Sequence, residues 1–129
     1  MTSKYGNVSG WVEVGGQRFY AKSKSEYRFA LYLDWLKTNG NIKEWFYEPC
    51  EYLIKGRSGT TKIYKPDFMV RNHDESHELF EVKGFMTKVA QAKINAFRKQ
   101  YPDKVLTVID SKWFSRNSGK LKNLVPGWA

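Results

Sequence analysis

The sequence predicts an α/β fold in which a mixed β-sheet is flanked by helices. Two stretches carry apolar residues at helical spacing, and short runs rich in β-branched and aromatic residues lie between and after them. The 129 residues suit a single domain, and the 41% of hydrophobic residues are enough for a core of its own. A disordered chain is therefore not expected.

The start of the chain, residues 1–22, is predicted to be an N-terminal arm or a hairpin, ahead of a main domain over residues 23–129. Its first half is rich in Gly and Ser, and Gly15-Gly16 is a typical turn. Residues 17–21 then have the composition of a short strand.

The first helix is predicted over residues 26–38. Ser23 stands three residues before Glu26, which is the spacing of a capping box, and Asn39-Gly40 is a natural helix end. Glu26 also lies on the apolar stripe of this helix, at its N-terminal end. Because a carboxylate that faces a protein core needs a partner, Glu26 is a helix cap, a member of a functional site, or both.

Four strands are predicted in the middle of the chain, over residues 42–47, 51–54, 64–70 and 77–83. Pro49 separates the first two, and a turn rich in Gly and hydroxyl groups follows them. A polar turn over residues 71–76 separates the last two, which can therefore pair antiparallel.

A second helix is predicted over residues 86–101, and a buried strand over residues 104–109 follows it. The residues predicted for the inner face of that helix are Val89, Ala90, Ile94, Phe97 and Tyr101. Residues 111–129 are expected to form a tail that carries basic residues among aromatic ones.

The balance of charge is strongly basic. Lysine and arginine total 22 against 13 acidic residues, which gives a formal net charge of +9. Such an excess favours a polyanionic partner, with nucleic acid ahead of an anionic membrane surface. No apolar run approaches the roughly 18 residues that a membrane span needs, so no membrane partner is expected.

Two further features bear on the location of the protein. The start of the chain has no apolar stretch of the kind found in signal peptides. The single cysteine, Cys50, has no partner for an internal disulfide and is expected to be a small buried hydrophobe. Both features indicate a cytoplasmic protein.

Two carboxylates and a lysine stand out because the predicted strand pair can bring them together. In a strand over residues 77–83 successive side chains alternate, so Glu81 and Lys83 point the same way. Asp67 can lie beside Glu81 if the register allows it. Neighbouring carboxylates repel unless a cation lies between them, and a hard ion such as Mg²⁺ takes oxygen ligands of this kind. A lysine next to the ion can hold water or offset the charge on a phosphoryl group.

A simpler interpretation gives these residues no chemistry. Glu81 and Lys83 can form an exposed ion pair on one face of a strand, which contributes well under about 1 kcal/mol. His73 and His77 flank the turn and are expected to be solvated. Without a cysteine beside them they do not indicate a structural zinc site.

The stretch from residue 66 to residue 83 resembles the motif of the PD-(D/E)xK nuclease superfamily. The match consists of Pro66-Asp67 on one strand and Glu81-Val82-Lys83 on the next. The resemblance implies a restriction-endonuclease-like mixed sheet flanked by helices. It also implies a hydrolase that acts on phosphodiester bonds.

The resemblance assigns a role to each residue of the motif. It implies that Mg²⁺, or Mn²⁺ in its place, is bound by Asp67 and Glu81, with the carbonyl of Val82 as a further ligand. Many of these enzymes carry one more carboxylate on an upstream helix, and Glu26 matches it. Lys83 matches the catalytic lysine.

The chain from about residue 23 to residue 128 is also similar to phage-type endonuclease I, a family of Holliday junction resolvases. Among the shared features are Ser25-Glu26 opening a helix and Tyr47-Glu48 after it. This similarity implies branched DNA or Holliday junctions as the substrate and a homodimer with intertwined subunits. It also implies action in the host cytoplasm if a phage encodes the protein.

Basic side chains around the acidic motif are predicted to contact DNA. They are Lys62, Lys65, Lys88, Lys93, Lys112 and Arg116. The sequence therefore predicts a Mg²⁺-dependent endodeoxyribonuclease that is selective for branched DNA. Two alternatives stay open, which are a less selective nicking nuclease and a non-catalytic nucleic-acid-binding module.

Overall fold

A computed structural model describes residues 9–128 of the chain. Over these residues it has three helices and eight strands, so the predicted α/β class is confirmed. In chain order they are β1 (Gly10–Val14), β2 (Gln17–Ala21), α1 (Lys24–Thr38), β3 (Glu44–Tyr47), β4 (Tyr52–Lys55), β5 (Thr61–Tyr64), β6 (Phe68–Arg71), β7 (His77–Lys83), α2 (Lys88–Gln100), β8 (Leu106–Asp110) and α3 (Ser111–Leu124). None of the helices within residues 9–128 combines the length and the apolar character of a membrane span.

The central sheet has four strands in the spatial order β3, β6, β7 and β8. The first three pair antiparallel, whereas β8 runs parallel to β7. The sheet is therefore mixed, as predicted, and α2 forms the crossover that a parallel pair of strands requires. Two hairpins, β1–β2 and β4–β5, pack beside it.

Side chains of β7 alternate between the two faces of the central sheet, as predicted. Phe80 and Val82 point into a core that they share with α1 and the hairpin β1–β2. Leu79 points to the other face and packs in a second core with Phe97 of α2 and the hairpin β4–β5. Glu81 is on the same side of the strand as Leu79, so it faces α2.

Helix α1 begins at Lys24, two residues earlier than predicted, because Ser23 is its N-cap. The Ser23 hydroxyl accepts a hydrogen bond from the backbone N–H of Glu26 at 3.1 Å, which confirms one half of the predicted capping box. The Glu26 carboxylate accepts instead from the backbone N–H of Lys22, at 3.0 Å. The helix ends at Thr38, as predicted.

The described part of the predicted N-terminal arm is a hairpin. Val12 and Val14 of β1, with Phe19 and Ala21 of β2, are buried in the same core as α1. The boundary predicted at residue 22 therefore separates elements that share one core. The first eight residues of the predicted arm lie outside the described residues.

The turn of this hairpin contains two glycines that differ in their surroundings. Gly15 and Gly16 both have a positive φ, of 55° and 83°. A Cβ added to Gly15 would lie 2.0 Å from Oδ1 of Asp34, whereas one added to Gly16 would meet no atom within 4 Å. The same Oδ1 accepts a hydrogen bond from Nε1 of the buried Trp45 at 3.0 Å.

We expect Gly15→Ala to destabilise the protein more than Gly16→Ala. Both substitutions carry the penalty of a left-handed backbone, about 1–2 kcal/mol. Gly15→Ala also displaces Asp34 and leaves the N–H of Trp45 without its acceptor, which adds about 1–3 kcal/mol. Urea denaturation followed by tryptophan fluorescence measures both losses, and equal losses would show that the Asp34 contact contributes nothing.

The single strand predicted over residues 64–70 is wrong, because the chain changes sheets within it. Strand β5 ends at Tyr64 in one hairpin, and β6 begins at Phe68 in the central sheet. Between them, Pro66 is fully buried and has no N–H to donate to a ladder. Asp67 directs its carboxylate to the backbone N–H of Val82, at 2.8 Å.

Residues 111–129, predicted as a basic tail, contain helix α3 instead. Asp110 is its N-cap, and the Asp110 carboxylate accepts a hydrogen bond from the N–H of Trp113 at 3.0 Å. Leu121, Val125 and Trp128 form a small core with aromatic residues of α1. The glycine, serines and asparagines of this segment are weak helix formers, so the sequence did not predict a helix here.

Helix α2 starts two residues later and ends one residue earlier than predicted. Ile94 and Phe97 are buried, as predicted. Val89 is 66% exposed, so its placement on the inner face is wrong. Neighbouring residues of a helix point about 100° apart, and here Ala90 rather than Val89 lies on the side of Ile94.

Candidate active site

Three acidic side chains are buried in the described part of the chain, which is unusual for charged groups. Glu26, Asp67 and Glu81 are only 4%, 2% and 6% exposed. They come from α1, from the link before β6 and from β7. Because a buried carboxylate is costly without a partner, their burial at one place needs a cause.

Asp67 and Glu81 lie side by side, in the arrangement that the sequence allowed. Strands β6 and β7 pair with Phe68 opposite Phe80, and the same register continued by one residue puts Asp67 beside Glu81. The backbone N–H of Val82 donates to Oδ2 of Asp67 at 2.8 Å and fixes this carboxylate against β7. Burial is the main cause that raises the pKa of Asp67 above its ordinary value.

Glu81 is held by a tyrosine and faces a lysine. The Tyr64 hydroxyl donates to Oε1 of Glu81 at 2.7 Å, and Nζ of Lys83 lies 3.8 Å from Oε2. Burial, and after it repulsion by Asp67, raises the pKa of Glu81 from 4.5 to about 7. Near neutral pH, a large share of the molecules therefore keeps a proton on Glu81 as long as no further cation is present.

The ammonium group of Lys22 lies among three carboxylates. Its Nζ is 2.9 Å from Oε2 of Glu48, 3.3 Å from Oδ1 of Asp67 and 3.7 Å from Oε2 of Glu26. Burial alone would lower the pKa of Lys22, but these acids raise it above its ordinary value. The lysine side chain is 56% exposed, so it reaches the acids from the solvent side. The space between these three carboxylates therefore attracts positive charge.

Glu26 lies at the inner end of the acidic cluster, behind Lys22. Its Oε1 accepts hydrogen bonds from the Tyr47 hydroxyl at 2.9 Å and from the backbone N–H of Lys22 at 3.0 Å. Burial, followed by repulsion from Asp67, raises the pKa of Glu26. The residue thus belongs to the start of the helix and to the acidic cluster at once.

The sequence predicted no role in the site for Lys22 and Glu48. Lys22 directly precedes the N-cap of α1, where nothing in the pattern singles out a lysine. Glu48 has a positive φ of 46°, and its N–H donates to the carbonyl of Asp67 at 2.8 Å. A left-handed residue that is not glycine often marks a functional site, but the sequence gives no sign of it.

Four lysines surround an open pocket of about 310 Å³ that contains the acids Glu48, Asp67 and Glu81. The lysines are Lys22, Lys65, Lys83 and Lys93. The structure therefore brings two of the predicted DNA contacts, from β5–β6 and from α2, to the acidic cluster. We call this pocket the acidic pocket.

The other predicted DNA contacts lie away from the acidic pocket. Lys62 is exposed on β5 and does not line it, and Lys88 lines a separate depression at the start of α2. Lys112 and Arg116 are exposed on α3. Because α3 packs against α1, these two residues lie on the opposite side of the sheet from α2.

The donor atoms of the acidic pocket suit a hard divalent cation. The carboxylate oxygens of Asp67 and Glu81, which line the pocket, are ligands of the kind that Mg²⁺ and Mn²⁺ prefer. A backbone carbonyl such as that of Val82, the residue after Glu81 in β7, is a further ligand of this kind. Within residues 9–128, no three His, Cys, Asp or Glu side chains lie close enough to one another to hold a metal ion. The Lys22 ammonium occupies the space between Glu48 and Asp67, so a metal there requires this exposed lysine to turn outward.

Residues 2–116 match a family model, that of DUF1064, which is described as a protein of unknown function. The match covers most of the chain. The chain belongs to the DUF1064 family. The DUF1064 match includes every residue of the acidic pocket and ends within α3. No curated protein matches the chain.

Proposed function

We propose that this DUF1064 protein is a Mg²⁺-dependent endodeoxyribonuclease of the PD-(D/E)xK superfamily, with a restriction-endonuclease-like core. The observation that carries the proposal is the meeting of the buried acids Asp67 and Glu81 with Lys83 at one open pocket. The buried Glu26 joins them through Lys22, whose Nζ lies 3.7 Å from Glu26 and 3.3 Å from Asp67. A chain with a net charge of +9 around such an acidic centre suits a polyanionic substrate.

A purely structural ion cluster accounts for these acids less well. The acids are buried, whereas the side chains of Lys22 and Lys83 are 56% and 37% exposed. The pKa of Glu81 stays at about 7 in spite of both lysines. A cluster that served stability alone would not leave a buried carboxylate so poorly compensated. This deficit of positive charge supports a site that a divalent cation completes.

Asp67 and Glu81 would hold the metal together with the carbonyl of Val82, and Glu26 would serve as a further acid. When bound, such an ion supplies an activated water and stabilises the oxygen that leaves the phosphorus. The N–H of Val82 and the hydroxyl of Tyr64 each fix one oxygen of a ligand carboxylate. The second oxygen of each carboxylate faces only an exposed lysine, at 3.3 Å from Lys22 for Asp67 and at 3.8 Å from Lys83 for Glu81, so it becomes available to a cation when Lys22 turns outward.

Lys83 has the freedom that a phosphate-binding group needs. Its Nζ is 3.8 Å from Oε2 of Glu81, which is longer than a hydrogen bond, and its side chain lines the acidic pocket. The ammonium can therefore turn to a bound phosphate. There it would hold the attacking water and offset the negative charge that develops on the phosphoryl oxygens.

Branched DNA, and Holliday junctions in particular, is the substrate class that we propose from the resemblance to phage-type endonuclease I. From the same resemblance we propose a homodimer and, for a phage-encoded protein, action in the host cytoplasm. Less selective nicking of DNA is the alternative within the same reaction class. A module that binds nucleic acid without cutting it is the alternative outside that class.

A cleavage assay on four DNA substrates tests the proposal. Wild type and Asp67→Ala are incubated with a four-way junction, a splayed duplex, a linear duplex and a supercoiled plasmid, in Mg²⁺ and in chelator. We expect Mg²⁺-dependent cutting by the wild type, fastest on the junction, and at least about 1,000-fold slower cutting by Asp67→Ala, which loses a metal ligand. Asp74→Ala is the control, because Asp74 is an exposed acid of the turn before β7.

The other outcomes separate the alternatives. Equal cutting of all four substrates would retain the nuclease and remove the preference for junctions. Mg²⁺ or Mn²⁺ should also raise the melting temperature of the wild type but not that of Asp67→Ala, because a ligand of the folded state stabilises it. DNA binding with neither cutting nor a metal effect would leave a non-catalytic binding module.

A further inference from the structure

A second depression on this protein is lined by charges of one sign. It lies between the outer face of α2 and the turn that joins β4 to β5, and its volume is about 680 Å³. Its charged lining residues are Lys55, Arg57, Lys88 and Lys99, and none of the described residues that line it is Asp or Glu. We call this depression the basic groove.

The two walls of the basic groove are tied to each other. The backbone N–H of Lys55 donates to Oε1 of Gln100 at 2.9 Å, and Nε2 of Gln100 donates back to the carbonyl of Lys55 at 2.8 Å. The Tyr101 hydroxyl donates to the carbonyl of Leu53 at 2.8 Å. The hairpin β4–β5 is therefore fixed to the end of α2, and the groove between them has a defined shape.

The cations of the basic groove lack acidic partners. Within residues 9–128, none of the four forms an ion pair with a carboxylate. On other parts of the surface, Lys37, Lys43 and Arg71 each pair with a glutamate. Four like charges without a counter-charge repel each other, and a polyanion that lies along them removes this repulsion.

Shared residues connect the basic groove with the acidic pocket. Gln91 lines the groove and also an intermediate depression of about 580 Å³. Lys83, Gly84 and Arg98 line that intermediate depression as well, and Lys83 in turn lines the acidic pocket. A DNA strand can therefore run from the acidic pocket across Gly84, where no side chain stands in its way, and into the basic groove.

The dimensions and the chemistry of the groove suit a DNA backbone. From Lys88 to Lys99 helix α2 rises about 16 Å, which is the rise of a DNA strand over about five nucleotides. One donor and one acceptor of the amides that could read base edges are engaged with each other, because Nε2 of Gln91 donates to Oδ1 of Asn95 at 2.9 Å. Lysines and arginines that contact phosphates position the DNA and read no sequence directly.

We propose that the basic groove binds the sugar–phosphate backbone of the DNA substrate, a few nucleotides away from the phosphate that lies in the acidic pocket. The proposal rests on the proposed function for the link between the two sites. Binding by the groove itself is measured without cleavage, so either proposal can fail while the other holds.

The binding experiment compares two variants that lose the same charge. One carries Lys55→Gln, Arg57→Gln, Lys88→Gln and Lys99→Gln. The control carries Arg18→Gln, Lys104→Gln, Lys120→Gln and Lys122→Gln, which are exposed residues outside the basic groove. The affinity for a labelled duplex and for a four-way junction is measured in chelator over a range of salt concentrations, after the melting temperatures have confirmed that both variants fold.

We expect the groove variant to lose affinity at least about 100-fold near 0.1 M salt, and the control to lose less than about threefold. The slope of log affinity against log salt should become shallower by about three to four in the groove variant, because each phosphate contact contributes about 0.9. Equal losses in both variants would overturn the proposal, since they would show an effect of net charge alone. If the groove variant alone loses affinity and the wild type does not cut DNA in the cleavage assay, the basic groove is a DNA-binding site and the nuclease proposal is wrong.

The position of the bound backbone is tested with neutral phosphates. Single methylphosphonates are placed at successive positions along the strand that is cut, and the affinity of the wild type is measured for each. We expect weaker binding at phosphates within about five nucleotides to one side of the cut, and no such effect in the groove variant. If the same methylphosphonates weaken binding to the groove variant as well, those phosphates are contacted by other residues, and this result would overturn the proposal.

Discussion

Replacement of Glu81 by glutamine is expected to abolish cleavage and, at the same time, to stabilise the metal-free protein above neutral pH. Glutamine lacks the negative charge that a divalent ion needs from this ligand, so Mg²⁺-dependent cutting should fall at least about 1,000-fold. The Tyr64 hydroxyl, now 2.7 Å from Oε1 of Glu81, still finds an acceptor in the amide oxygen. The fold is therefore retained while the chemistry is lost.

The gain in stability follows from the raised pKa of Glu81. This pKa is about 7 in the folded protein against an ordinary value of 4.5, so between these values the folded protein holds a proton that the unfolded chain has lost. The contribution of Glu81 to the free energy of unfolding in chelator is therefore highest below that range and falls as the pH rises through it. The loss is roughly 3 kcal/mol at most, at about 1.4 kcal/mol per pKa unit, and Asp67 shares in it because the two acids titrate together.

Urea denaturation in chelator near pH 5 and near pH 8 measures this effect. The wild type should lose stability between the two pH values, and Glu81→Gln should lose less and be the more stable protein near pH 8. Glu78→Gln is the control, because Glu78 is on the same strand but on the opposite face. A Glu81→Gln variant that is less stable than the wild type near pH 8 would show that the charged form of Glu81 stabilises the fold.

A gain in stability together with a loss of activity would distinguish a functional acid from a structural one. A structural carboxylate is balanced by its neighbours, and its removal leaves those neighbours unpaired. Here Lys22 and Lys83 only partly balance Glu26, Asp67 and Glu81. Sites of this kind lower stability in the absence of the ligand that they serve.

Much of the acidic pocket could be predicted because β7 is a regular strand. Alternation along residues 77–83 was enough to place Glu81 and Lys83 on one face, and the polar turn before the strand was enough to pair it with β6. Glu26 followed from the helical spacing of α1, whose stripe it continues. The placement of each of these side chains on its face depends on the period of a single element, which the sequence contains in full, whereas the register that puts Asp67 beside Glu81 was left open.

What the sequence could not predict depends on contacts between distant elements. Lys22 reaches Glu48 and Asp67, which are 26 and 45 residues away along the chain. The left-handed backbone of Glu48 is held by a hydrogen bond to the carbonyl of Asp67. The break of the predicted strand at Pro66 has the same origin, because the two halves belong to different sheets. None of these features leaves a period or a spacing that sequence patterns detect.

Replacement of Lys83 by alanine is expected to lower kcat about 1,000-fold and to leave metal binding intact. The Nζ of Lys83 is 3.8 Å from Oε2 of Glu81, and an ammonium cannot be a metal ligand. Its loss removes positive charge beside the reacting phosphate, where the transition state needs it, and removes nothing that holds the ion. The rise in melting temperature caused by Mg²⁺ should therefore persist in Lys83→Ala.

Lys93 is the matched control for Lys83, because it lines the same pocket from α2 and forms no ion pair within the described residues. Lys93→Ala should weaken DNA binding by less than about tenfold and leave kcat unchanged, as expected for a single phosphate contact. If both variants weaken DNA binding equally and neither changes kcat, Lys83 only contacts a phosphate, as Lys93 does. Loss of the metal effect in Lys83→Ala would mean that the lysine organises the acids. A lower kcat with both binding steps unchanged is the result expected of a group that acts on the phosphate after metal and DNA have bound.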